Sequence, residues 1–211
     1  MRILLVAVAA ALVLLGGLRI YSSATPPTAS LTFDETALAA TPEEVTAALG
    51  GPLAAADADR IKGLAHQEVN SAFSGLRLRF VDTGRAFWRI RVLASFTPPT
   101  LSGRPLVNTA GASYPFGALG GGGFLSFSTL AIKAAVYAPA GVSREEMVAA
   151  IGRGIGRSAV HELTHLILGG ITIHSDDENS YEFETADRPS QYYGELTWGR
   201  ARALLEQRLG R

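Results

Sequence analysis

The segment His161-Glu162-Leu163-Thr164-His165 sets two imidazoles four positions apart, with a carboxylate directly after the first. On a helix, residues i and i+4 lie one turn above each other on the same face, so both rings can reach a single ion, at about 2.0–2.1 Å each for zinc. Glu162 falls one step round the helix, beside that ion. A carboxylate there can act as general base toward a metal-activated water. Val160, Leu163 and Ile167 recur at helical spacing and supply the opposing buried stripe. Chance would produce this pattern in a chain of this composition with a probability of roughly 0.4%, so it is read as a metal motif.

A catalytic zinc takes three protein ligands and keeps one position open. Cysteine is absent, so the third ligand must be His, Asp or Glu. His174 follows Gly169-Gly170 and Ile171-Thr172-Ile173. A turn at the double glycine would return it beneath the helix, and a neutral imidazole suits zinc. Glu178, Glu182 and Asp176 are the carboxylate alternatives, with Glu195 more distant, while Asp176-Asp177-Glu178 reads first as a solvated turn. A fourth position closed by His174 and Glu182 together would mark a non-catalytic, zinc-stabilised binding module. A zinc amidase acting on cell-wall peptides is a further alternative. His66, alone on an earlier helix, reads as a solvated surface residue.

The elements that must position these groups follow from capping and periodicity. Ser143-Arg144-Glu145-Glu146 opens a helix that runs towards Leu168 and stops at Gly169-Gly170. Gly152, Gly154 and Gly156 each weaken it by about 1 kcal/mol, which predicts a break near Arg153. Upstream, Thr41-Pro42-Glu43-Glu44 starts a short helix ended by Gly50-Gly51-Pro52, and Asp57 to Ser74 reads as a longer one. Leu76 to Phe80 and Phe87 to Ala94 read as strands, as do Phe124 to Thr129 and Ile132 to Tyr137. The stretch from Thr97 to Gly123, rich in Gly and Pro, reads as loop. Its Gly120–Gly123 run lacks a following Gly-Lys-Ser/Thr, which excludes a phosphate loop. A last helix spans Gly194 to Leu209.

The 211 residues are 47% hydrophobic and 18% charged, which suits one core, and 19 basic residues balance 19 acidic ones. No global positive charge draws the chain to nucleic acid, so partner choice rests on a local site. Met1-Arg2, the apolar run Ile3 to Leu15 and the small residues Ser22-Ser23-Ala24 read as a signal peptide over 1–24, or as an N-terminal anchor, since Ile3 to Leu18 carries no charge. The expected location is extracytoplasmic, periplasmic or secreted, with the membrane touched only through an uncleaved N-terminal segment. Residues 25–40 read as a Pro/Ser/Thr-rich linker and 41–211 as the folded domain.

His161-Glu162-x-x-His165-x-x-x-Gly169 with a later His174-Ser175 resembles the metzincin clan of zinc proteases, its matrixin-like members above all. The likeness is sharp over Ser158 to Ser175 and topological from about Asp57 to Leu209. Two departures stand out: the clan places Gly three and His six residues after its second His, against four and nine here, and no methionine follows the site. The resemblance implies an α+β fold in which a small twisted mixed sheet packs on two main helices, with an active-site helix and a C-terminal helix. It further implies Zn2+ as cofactor, Glu162 as catalytic residue, His161, His165 and His174 as ligands, and a peptide or protein substrate lying along an edge strand, for which Phe124, Leu125 and Ser126 are the candidates. Tyr181, Tyr192 or Tyr193 could occupy the floor left by the missing methionine, and a tyrosine hydroxyl near the metal could hold an oxyanion.

Overall fold

The computed structural model describes residues 25–82, 85–97, 109–116, 120–169 and 173–211. The export segment expected at 1–24 lies outside them, as do Gly170, Ile171 and Thr172 of the expected turn. Among the described residues no helix is long and apolar enough to cross a membrane.

The elements are β1 (Thr28–Phe33), α1 (Glu43–Ala48), α2 (Ala55–Ala72), β2 (Arg79–Phe80), β3 (Trp88–Leu93), β4 (Gly111–Pro115), β5 (Gly121–Ser126), α3 (Phe127–Val136), α4 (Arg144–Leu168), α5 (Ser190–Tyr193) and α6 (Ala201–Leu209). This is an α+β fold with one five-stranded mixed sheet ordered β2-β1-β3-β5-β4. All neighbours are parallel except β4, which runs antiparallel to β5. Along β3, Trp88, Ile90 and Val92 turn into the core while Arg89 and Arg91 face outward, the period-two alternation of a half-buried strand.

Helix α4 occupies the middle of the molecule, touching α2, α3, α5, α6 and strands β3, β4 and β5. Ser143 accepts from the Glu146 amide at one end, and Gly169 closes the other with φ 69° in the left-handed region. The break expected near Arg153 does not occur, because the glycines do packing work. A Cβ on Gly152 would lie 2.9 Å from the Ile61 carbonyl oxygen, and one on Gly156 would lie 2.8 Å from that of Ala65. Backbone contact between α2 and α4 offsets what each glycine costs in propensity.

Four other expectations are corrected. The linker reading of 25–40 fails at β1, where Ala29 and Leu31 are buried between two parallel neighbours. Thr, Ser and Pro there disguised a strand whose Ala29, Ser30 and Leu31 are buried in succession. The Gly120–Gly123 run is not loop: Gly121 to Gly123 lie in β5, where Cβ atoms on Gly121 and Gly123 would meet Leu166 and Ile90 side chains at 2.7 and 2.8 Å. Ile132–Tyr137 is not a strand but the second half of α3 with its C-cap, a helix that Ser126 caps by accepting from the Thr129 amide and whose Leu130, Ala131 and Ala134 are buried at helical spacing. The last helix, expected from Gly194, starts only at Ala201 as α6, and the short α5 lies ahead of the expected span.

Candidate metal centre

His161 and His165 project from the last two turns of α4 with ring centroids 4.6 Å apart. His174 returns to them as expected, and the three Nε2 atoms converge: His165 Nε2 lies 3.0 Å from that of His161 and 3.1 Å from that of His174. His161 Nδ1 contacts the Tyr181 carbonyl oxygen at 2.9 Å, and a carbonyl can only accept, so this nitrogen carries the proton and Nε2 keeps its lone pair. Burial foremost, and then the neighbouring imidazoles, push His161 down to about 3, so the ring stays neutral. His161 thus turns a lone pair toward the other two rings, and three imidazole nitrogens at this spacing fit a cation. These three residues can hold a metal ion, and among the described residues no carboxylate joins their cluster.

The carboxylate alternatives are engaged elsewhere or exposed. Glu182, 1% exposed, accepts the Ala201 amide at 2.9 Å and so caps the start of α6. Asp176, Asp177, Glu178 and Glu195 are exposed, and Asp177 caps its own turn by accepting from the Asn179 amide. Polar bonds set the chain around His174. The Ser175 amide donates to the Glu182 carbonyl at 3.0 Å, and Ile173 is buried. Arg188, 3% exposed, donates to the carbonyl oxygens of Glu178 and Ser180 and to Gln191 Oε1.

Glu162 faces the first residues of β4. The Ser113 hydroxyl donates to its carboxylate, and a Cβ on Gly111 would lie 2.8 Å from Glu162 Oε1. Burial pushes the carboxyl up to about 7 against the opposing pull of Ser113. An open cleft of about 560 Å3, bounded by Gly111, Ser113 and Pro115 on one side, contains all three histidines and Glu162.

The expected edge strand is displaced by one place in the sheet. Phe124, Leu125 and Ser126 belong to β5, whose backbone is paired on both sides, so they cannot receive a further strand. The edge at the cleft is β4, which sequence reasoning took for loop because Gly, Ala, Ser and Pro carry little strand signal. Of the tyrosines, only Tyr181 adjoins the centre, and its phenol is committed: it donates to Glu68 Oε1 at 2.7 Å, while Arg157 holds that carboxylate at 3.2 Å. Burial and Glu68 raise its pKa. It therefore orients His161 through its backbone and offers no hydroxyl to an oxyanion. Tyr192 is fully buried against Gly154, two turns before His161, and the Tyr193 hydroxyl donates to the Ala134 carbonyl. Both serve packing away from the metal.

His66 is half-buried rather than solvated, tilted against Phe33 with centroids 6.2 Å apart, and burial lowers its pKa. Sequence reasoning missed Glu68, Arg157 and Arg188, each of which acts through a partner dozens of positions away or inside an irregular turn. No family model matches the chain, and no curated protein does.

Proposed function

We propose that the chain is a zinc-dependent endopeptidase of metzincin-like type, cleaving peptide or protein substrates outside the cytoplasm, where the N-terminal apolar run would deliver it. The carrying observation is the convergence of three imidazole Nε2 atoms, within 3.1 Å of His165, beside a carboxylate that looks into an open cleft. Three imidazoles are a donor set suited to zinc, and among the described residues no fourth His, Asp or Glu joins the cluster, which fits a site with a coordination position for water or substrate.

When bound, zinc would polarise the scissile carbonyl and acidify a water. Glu162 accepts the proton of the attacking water and returns it to the departing amine, so one carboxylate serves both transfers. Its position near neutrality in the metal-free fold matches that task, and a neighbouring cation would draw it lower and keep it ionised. Tyr181 holds His161 in the tautomer that leaves Nε2 free. Strand β4, last in the sheet order among the described residues, presents its outer backbone groups to an extended substrate.

The test is metal content together with proteolysis. Wild type should carry about one zinc per chain and hydrolyse an unfolded protein, while Glu162→Gln should keep the metal and lose on the order of 10²- to 10⁴-fold in rate. A wild type without metal ends this proposal. Undiminished hydrolysis by Glu162→Gln removes the carboxylate from its role.

A further inference from the structure

Beside Glu162 and His161, at the Gly111 end of β4, a cavity of about 330 Å3 opens between α3, α4 and the segment that follows Tyr181. Small-ligand sites run from roughly 300 to 1,000 Å3, so this one has room for a single large side chain. Its lining is mixed, with Phe183 and Ala186 beside the polar side chains of Lys133, Glu184, Arg188 and Gln191.

The charges in that wall are graded by depth. Arg188 is 3% exposed and lies over the Phe183 ring at 4.7 Å, and none of its hydrogen bonds goes to a carboxylate. Its buried Nε has no partner among the described residues. Lys133 pairs with Asp187 at 2.9 Å, but the lysine side chain is 13% exposed against 56% for the aspartate. Lys133 and Arg188 thus set positive charge deep in this wall, while Asp187 and Glu184 stand exposed at its mouth and Glu162 marks the border with the metal cleft. Arginine and lysine can only donate hydrogen bonds, and a buried donor without an acceptor is an uncommon and costly feature. An incoming acceptor would complete it.

Strand direction says which part of a substrate arrives there. The cleft side of β4 runs from Gly111 past Ser113 to Pro115, with the histidines beneath. A peptide pairing antiparallel to it would enter over Pro115, cross the imidazoles and leave over Gly111. The residue after the cleaved bond then meets the cavity.

We infer that this cavity is a specificity pocket for a carboxylate or carboxamide side chain, that of Asp, Glu, Asn or Gln, on the residue following the scissile bond, with Lys133 and Arg188 as its donors. The inference rests on the endopeptidase proposal above. Arg188 also ties its own loop together, so Lys133 is the residue to change.

The experiment is cleavage-site profiling by mass spectrometry, using zinc-loaded full-length protein and a library of unfolded peptides. The expected result is enrichment of the four acceptor side chains after the cleaved bond by about five-fold or more, the worth of one net hydrogen bond. Lys133→Met should reduce that enrichment about three-fold and Lys133→Arg should retain it. Enrichment confined to Asp and Glu assigns charge pairing, and equal enrichment of Asn and Gln assigns hydrogen bonding; both uphold the pocket. Cleavage with apolar residues favoured there, or with no preference, overturns the pocket and leaves the endopeptidase standing. No cleavage by wild type removes both.

Discussion

Two regions deliver the metal ligands by different physics. His161 and His165 sit on a 25-residue helix anchored mainly by apolar burial, through Val160, Leu163, Ile167 and the close contact with α2, with Arg157, Ser158 and Thr164 as its other buried polar residues. His174 sits in a stretch with hardly any regular structure, held by buried polar groups: Glu182, Arg188 and Gln191. Yet the rings meet. Apolar packing spreads its stabilisation over many contacts and tolerates substitution of similar volume, whereas a polar wall concentrates it in a few donors and acceptors whose loss strands a partner.

The largest effect should come from the polar side. Removing the third imidazole in His174→Ala should abolish stoichiometric zinc by metal analysis while leaving helix content by circular dichroism unchanged. Metal retained at one per chain would hand the third position to a carboxylate. Next, Arg188→Met strips the Glu178 and Ser180 carbonyls and Gln191 Oε1 of their donor and should cost on the order of 4 kcal/mol in urea unfolding. A loss no larger than that of an ordinary surface change would show that the wall does not depend on this residue.

Glu162 gives a comparison by pH in metal-stripped protein. Its carboxyl moves from an ordinary 4.5 to about 7 on folding, so the folded state holds the proton more tightly. The resulting stability is complete below pH 4.5 and is lost as pH rises through 7, about 3 kcal/mol at 1.36 per unit. Glu162→Gln, neutral throughout, should therefore gain about that much on wild type between pH 4 and pH 8 in denaturant titrations. A pH-independent difference would place the carboxylate in water. The smallest effect belongs to the apolar side. Gly156→Ala improves helix propensity by about 1 kcal/mol but drives a Cβ into the Ala65 carbonyl, for a net loss of about 1–2 kcal/mol. Increased stability would mean α2 can step back.

The same contrast explains what could be read from the chain. The His161–His165 pair, the Ser143 start and the Gly169 stop were legible because they rest on contacts within four residues along one helix. The return of His174 was legible only as a direction, and its supports were not, since Glu182 and Arg188 look like any other charged residues in sequence. Strand β1 hid behind Thr and Ser, and β4 behind Gly, Ala and Pro, because parallel and edge pairing are settled by partners distant in the chain. Misplacing β4 put the substrate edge on Phe124, Leu125 and Ser126. In α3, Ile132 and Val136 look β-prone, but burial of Leu130, Ala131 and Ala134 on one face decides for helix.

Glu182 ties the end of the chain to the centre. Its carboxylate takes the first amide of α6, its carbonyl takes the amide of Ser175, and the adjoining Tyr181 amide bonds Thr197. Removing α6 from Ala201 onward would take away the amide that the buried Glu182 side chain accepts and slacken the residue next to His174. Helix α6 thus works as a latch on a site it does not line, and its loss would be felt as a loosened grip on the ion before the sheet gave way.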